Sequence, residues 1–307
     1  MKTSAIILAK LAITGLLFWY LTTKIDFSES FDQIFSISPG IVILVIALIM
    51  AEIAVVSLRW KIIMKKIGIN LRVFELFKIY LVANFFNVTL LSSLTGDAFR
   101  VWKLSKITKP LTKIFNGIVL DRLVGIIGLL SIIAIGVFIL PIEEIEQWTK
   151  RSLLVFLITL IAIYFILIRI KDLRKDLEKW KIIKFFKKIA MDTVALVKDY
   201  RCFSLMIFYS LFIHLINIVV IYILAVDLGI AISFLASFVL FPIVIFFMLV
   251  PISIAGWGVR EGAMVILLGL VGISSESALA LSLLYGIILT IVGLAGGILW
   301  LIEKNNS

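Results

Sequence analysis

Apolar runs of roughly 18 or more residues recur along almost the whole chain, and no other feature restricts its fold as severely. A run of that length crosses about 30 Å of hydrocarbon as a helix. In lipid, backbone amides must be satisfied inside the protein, which leaves helices and closed barrels. The composition agrees: of 307 residues 63% are hydrophobic and 16% charged, with mean hydropathy +1.20, whereas a soluble domain is about a quarter charged. The chain therefore reads as an all-α, polytopic integral membrane protein. Spans are expected at roughly 4–22, 40–58, 114–140, 152–169, 203–226, 232–250 and 278–301. Two further segments, about 73–95 and 251–273, are apolar but irregular. The N-terminal stretch lacks a small-residue cleavage site and Lys10 interrupts its apolar core, so it reads as a retained first span.

Lys and Arg number 30 against 19 Asp and Glu, a net charge of +11. In a membrane protein this excess reports which loops face the cytoplasm and its anionic lipid, so no nucleic-acid partner is implied. Loop 59–72 carries Arg59, Lys61, Lys65, Lys66 and Arg72 without an acid. The 94–113 stretch carries Arg100, Lys103, Lys106, Lys109 and Lys113 against Asp97. By contrast 24–38 and 141–148 are acidic. The expected orientation in the plasma membrane puts the N-terminus, loops 59–72 and 94–113, and segment 171–200 in the cytoplasm.

Segment 73–95 then has basic flanks on both sides and should enter and leave on one face. Asn84, Asn87, Thr89, Ser92, Ser93 and Thr95 are spread through it, as expected of a re-entrant or broken helix lining protein or a wet cavity. Residues 171–200 place Leu173, Leu177, Trp180, Ile183, Phe186 and Ile189 at three- and four-residue steps among lysines. That spacing predicts a basic amphipathic surface helix, joining two hydrophobic halves of about 1–170 and 201–307 within one membrane domain.

Ionisable groups at membrane depth cost about 2.5–3.5 kcal/mol each on insertion scales and usually face a cavity or one another. Glu52, Asp97, Arg100, Asp121, Arg122, Arg260 and Glu261 are of this kind. The stretch "PISIAGWGVREG" at 251–262 joins a helix-ending Pro251 to Gly256 and Gly258, which permit unusual backbone geometry and close approach of a ligand. Arg260 and Glu261 would then open a half-helix whose amides attract anions. Two interrupted segments at corresponding places, 84–100 and 247–261, point to a transporter's central site. Sequence identity between the halves is negligible, so an inverted repeat is a conjecture. His214, beside Asn217, reads as a hydrogen-bonded packing residue. One cysteine, Cys202, and one histidine exclude a disulfide, a Cys cluster and a His-based zinc site. No cofactor is expected. No P-loop is present, so this chain does not hydrolyse ATP.

"GDAFRVWKL" (96–104), "DRLVGIIGLL" (121–130) and "PISIAGWGVREGAMVILL" (251–268) stand in order, and through them the chain resembles the transmembrane-domain family of lysylphosphatidylglycerol synthases, the flippase-like family. The resemblance implies about eight membrane segments, each of spanning or re-entrant type, and an association with lipid translocation. It departs in carrying "LLSSL" where the family has a Pro/Gly-rich run, and "IEKNNS" ends the sequence with no soluble aminoacyl-transfer domain. Translocation without lipid synthesis is therefore the expectation.

The residues support a flippase or scramblase for a phosphate-bearing lipid headgroup, on an aminoacylated phospholipid or a polyprenyl-linked lipid. Arg100, Arg122 and Arg260 would engage phosphate oxygens; Asp97, Asp121 and Glu261 would balance them, and Asn84 and Asn87 would line a polar path. Gly256 and Gly258 would let the ligand approach, and Glu52 is a candidate proton carrier. The alternatives are a membrane transferase, or an accessory subunit for a separate enzyme, acting on polyprenyl-phosphate or phospholipid. The first lacks an interfacial DxD pair; the second would use the 171–200 helix to dock its partner.

Overall fold

The computed structural model describes residues 2–89, 94–108, 111–139, 198–249 and 252–305, together with 155, 158 and 191. The expected span 152–169, the acidic 141–148 loop and the 171–200 helix fall outside these apart from the positions just named, as do Ser92, Ser93 and Pro251. The described residues form ten helices and no strand. They are α1 (Lys2–Lys24), α2 (Phe27–Phe35), α3 (Pro39–Lys66), α4 (Val73–Thr89), α5 (Thr95–Ser105), α6 (Leu111–Ile139), α7 (Tyr200–Asp227), α8 (Phe234–Met248), α9 (Val259–Gly269) and α10 (Ser275–Asn305). Within α3, α6, α7 and α10 the stretches Pro39–Lys66, Leu111–Gly136, Tyr200–Asp227 and Ser275–Lys304 are long and apolar enough to cross a membrane, and α8 is a shorter apolar helix. The protein is a polytopic α-helical membrane protein.

Local sequence sets the helix starts. Pro39, whose missing N–H costs nothing in a first turn, opens α3. The Asp199 carboxylate accepts from the Cys202 amide at 3.2 Å to cap α7, and Ser233 Oγ accepts from Ala236 N at 3.0 Å to cap α8. One boundary departs from expectation: α3 does not stop at 58 but runs on to Lys66. Trp60, Ile63 and Met64 continue its apolar stripe and are wholly buried, so packing outweighs the charges that made 59–66 look like a loop.

Interhelical contacts fix which ends lie together. Lys66 pairs with Asp199, and Lys103 with Glu303 at 2.7 Å, so the ends of α3, α5 and α10 and the start of α7 share one face, the basic end. Hydrogen bonding to the Lys66 ammonium, then to the Cys202 amide, holds the Asp199 carboxyl below its ordinary range. At the opposite end, Asp227 accepts from Ser38 N at 2.7 Å and Ser38 Oγ at 2.9 Å. There Ser30 Oγ also donates to Glu276 O at 3.0 Å.

With the ends fixed, eight of the described helices fall into two units of matching order. Helices α3, α4, α5 and α6 have 28, 17, 11 and 29 residues; α7, α8, α9 and α10 have 28, 15, 11 and 31. In each unit the second and third helices pack on each other as a hairpin. The α4–α5 hairpin starts from the basic end and returns to it, and α8–α9 does the same from the opposite end. Helix α7 runs antiparallel to α3, since Lys66 pairs with Asp199 at one end and Ser38 with Asp227 at the other. Hairpin helix α4 packs on α10, while α8 packs on α6. Matching order, opposite sense and exchanged hairpins resemble the inverted repeats of many transporter folds.

The first hairpin closes over Gly96. A Cβ there would lie 2.3 Å from the Ala83 carbonyl oxygen, and the Gly96 N–H donates to Asn87 Oδ1 at 2.9 Å. Thr95 Oγ1 donates to the Phe86 carbonyl at 2.6 Å. The apolar core forms two clusters. One, at the basic end, centres on Trp60, Met64, Leu76, Leu104, Ile114 and Met206. The other joins the outer parts of α3, α6, α7, α8 and α10.

Gly96→Val should force α4 and α5 apart, costing about 1–3 kcal/mol or more as overpacking against backbone. A lowered melting temperature of the detergent-solubilised protein would show it, whereas Gly40→Ala, which meets open space, should melt like wild type.

Candidate functional site

The polar side chains of the first unit converge on a cavity of ≈ 270 Å³. Its wall includes Glu52, Arg59, Asn87, Asp97, Arg100, Asp121, Arg122 and His214, closed on the α8 side by Ile245, Met248 and Leu249. Ligand sites usually run from about 300 to 1,000 Å³, so this space matches a headgroup rather than a whole lipid.

At its centre the Asp121 carboxylate is gripped by two guanidiniums. Arg59 Nε and Nη2 lie 3.1 and 3.0 Å from Oδ1, and Arg100 Nη2 donates to Oδ2 at 2.9 Å. Arg100 Nη1 donates to Asp97 Oδ1 at 3.1 Å, and Arg122 Nε donates to Asp97 Oδ2. The result is a row in which charges alternate, Arg59, Asp121, Arg100, Asp97, Arg122, carrying three positive charges and two negative.

Each member is positioned by its helix. Asp97 and Arg100 are one turn apart on α5, so both face the cavity. Arg59 is seven residues beyond Glu52 on α3, two turns along the same face. Its Nη1 donates to Ser210 Oγ at 2.9 Å, and the absent side chain of Gly125 leaves room for the guanidinium, since a Cβ would lie 3.4 Å from Nη1. The Arg100 guanidinium lies over the Trp60 ring at 3.9 Å and near the Tyr80 ring at 4.9 Å, contacts that suit a weakly hydrated planar cation.

Exposure grades along the row. The side chains of Asp121 and Arg100 are 2% and 3% exposed, Asp97 is 17% and Arg122 32%. The Arg122 end is therefore the mouth. His214 Nε2 sits 3.1 Å from the Gly125 carbonyl, and because a carbonyl only accepts, Nε2 must carry the hydrogen. Its Nδ1 is buried without a partner among the described residues.

The sequence-based expectations divide here. Asp97, Arg100, Asp121 and Arg122 come together with Asn87, whose amide oxygen also holds Gly96. Asn84 does not line the cavity. The expectation that Arg260 and Glu261 share this chamber is not met. Arg260 Nη2 and Nε lie 2.5 and 3.0 Å from Glu261 Oε1, which also accepts from Ser282 Oγ at 3.1 Å. Both residues are buried, 2% and 0% exposed. The pair neutralises itself against α10, where Gly286 makes way for the guanidinium: a Cβ would lie 2.0 Å from Nη2. Nor is the start of α9 an open anion site, because Glu261 Oε2 accepts from the Gly258 N–H at 2.6 Å.

Gly256 and Gly258 do adopt the left-handed backbone expected of them, with φ of 83° and 84°. They face Met248 and Leu17 rather than the cavity. Sequence reasoning missed Arg59, which looked like a loop cation, and His214, which looked like packing alone. The seven-residue spacing from Glu52 was the one signal that could have placed Arg59. Among the described residues, no three His, Cys, Asp or Glu side chains gather as a metal site would require.

A family model described as the lysylphosphatidylglycerol synthase TM region matches residues 7–297. The chain belongs to this family. No curated protein matches it.

Because Asp121 neutralises two buried cations, Asp121→Asn should destabilise the fold by about 3–5 kcal/mol, as expected when one partner of a buried pair is removed. Asp97→Asn, nearer the mouth where water reaches Arg122, should cost less. Chemical or thermal unfolding of the two variants side by side gives the order.

Proposed function

We propose that this member of the lysylphosphatidylglycerol synthase transmembrane family translocates a phosphate-bearing lipid, its headgroup passing through the Arg-lined cavity while the acyl or prenyl tails stay in the bilayer. The observation that carries this reading is the alternating Arg–Asp row lining an open, headgroup-sized space within the helical bundle. A buried network built only for packing would exclude such a space. This row instead grades from wholly enclosed at Asp121 to partly exposed at Arg122.

The chemistry supports it. Counted over Arg59, Arg100, Arg122, Asp97 and Asp121, the row has one positive charge in excess, which a phosphodiester would neutralise. Arg122, at the mouth, meets the phosphate first, since a guanidinium presents paired N–H groups to phosphate oxygens. The two aspartates keep the other guanidiniums in place and would receive a headgroup amine, as on an aminoacylated phospholipid. The two oppositely directed hairpins add support of a different kind. Hairpins that enter from opposite faces give two related ways of enclosing the centre, which is the geometry used for alternating access.

Arg122→Gln removes the cation at the mouth, where Asp97 keeps Arg100 as a second cationic partner. In vesicles carrying a fluorescent phosphatidylglycerol, with a quencher added outside, the variant should move lipid at least about tenfold more slowly than wild type, the loss expected for one charge-assisted bond. It should elute and melt like wild type. Unchanged lipid movement in this folded variant contradicts the proposal.

A further inference from the structure

Among the described residues, Glu52 is the one acid on the cavity wall that the row does not use. It faces the cavity from α3, and among the described residues no cation lies within ion-pair distance of it, whereas Asp97 and Asp121 have two each. Its partner is neutral: Asn217 Nδ2 donates to Oε1 at 3.0 Å. The same Nδ2 donates to the Ile213 carbonyl at 3.1 Å, and Oδ1 accepts from the Tyr285 hydroxyl at 3.0 Å. Turning the amide over would set its oxygen against the Ile213 carbonyl, so the N–H group stays toward Glu52. An amide donor accommodates either the carboxylate or the carbonyl oxygen of the protonated acid.

The groups facing Glu52 can be counted helix by helix. Its own helix contributes Arg59, α4 contributes Tyr80, α5 contributes Asp97 and Arg100, and α6 contributes Asp121 and Arg122. Helix α7 contributes His214 and Asn217, α8 only apolar side chains, and α10 the Tyr285 hydroxyl, behind which lies the self-neutralised Arg260–Glu261 pair. His214 donates from Nε2 to the Gly125 carbonyl and has no acceptor at Nδ1 among the described residues, so it enters the count without charge. Over these described residues the charges sum to zero with Glu52 ionised and to one positive charge with Glu52 protonated.

We infer that Glu52 is the proton acceptor of the cavity, and that a phosphate-bearing anion binds there together with one proton taken up by this carboxylate. The inference rests on the proposed lipid occupancy and adds the coupling. An anion entering the ionised cavity would leave one uncompensated negative charge in a low-dielectric site, which is costly. Entering with a proton, it leaves the wall and ligand neutral. The balance is Glu52 carboxylate plus proton plus phosphodiester monoanion, giving the neutral acid and the bound anion, with no other bond made or broken. Linkage is reciprocal, so proton binding strengthens anion binding by the same factor. Lipid movement through such a site carries a proton in the same direction and responds to a pH difference across the membrane.

The test is calorimetric titration of the full-length protein in maltoside detergent with dihexanoyl phosphatidylglycerol, a soluble short-chain probe. Titrations run at about pH 8, where the free carboxyl starts ionised, in two buffers of different ionisation enthalpy, so the difference in heat counts protons. Wild type should take up close to one proton per ligand, and its Kd should rise up to about tenfold per pH unit above the titration of Glu52. Glu52→Gln, isosteric and already neutral, should bind with no uptake and a flat pH response, while Glu52→Asp should keep the uptake. Binding by wild type without proton uptake overturns the inference and leaves the lipid site standing, as does uptake that persists in Glu52→Gln. No binding by folded wild type overturns both the inference and the translocation reading.

Discussion

Two guanidiniums sharing the carboxylate of Asp121, far from water, are the contact on which the rest of this structure depends. In bulk solvent such an arrangement would contribute little. Inside a bundle of apolar helices, leaving any of the three charges uncompensated costs several kcal/mol. Because Arg59 comes from α3, Arg100 from α5 and Asp121 from α6, neutrality and helix arrangement become one condition. The three helices cannot separate without stranding a charge, and the space beside them stays polar because those charges line it.

Among the described residues the two hairpins treat their charges differently, and residue spacing explains why. Both hairpins place a glycine, an arginine and an acid near the start of an 11-residue helix. In the first, Asp97 and Arg100 are a full turn apart and reach to α6 for further partners. In the second, Arg260 and Glu261 are adjacent in sequence, and the acid doubles back to both the arginine and the Gly258 amide. Related frameworks thus yield an open network in one half and a closed knot in the other. The difference is one of residue spacing and of how many neighbouring helices supply counter-charges.

Much of this was legible before any coordinates. Apolar run length gave the helical membrane class, and the polar residues of 73–95 marked a broken segment. The return leg of the hairpin, however, is α5, Thr95–Ser105, which the basic charges had made look like a loop. The cost of charge at membrane depth singled out Asp97, Arg100, Asp121 and Arg122 together with Glu52, Arg260 and Glu261. The convergence assumed for Arg260 failed because a charge's need for a partner does not say which partner it finds, and the adjacent Glu261 was sufficient. Arg59 was hidden for a related reason. Positive charges near a span's end usually mark the water boundary, and only the buried Trp60, Ile63 and Met64 reveal that α3 continues. His214 could not be placed because its role depends on the Gly125 carbonyl, on a helix 89 residues earlier in sequence.

The central claim is that the Arg–Asp row holds a lipid phosphate rather than serving packing alone. A cryo-EM map of the protein in nanodiscs rich in phosphatidylglycerol addresses it directly. The account predicts density for a phosphate inside the cavity within hydrogen-bonding distance of the Arg122 guanidinium, continuous with tails leaving between helices. A well-resolved map with ordered lipid around the outside and only water beside Arg122 would contradict it.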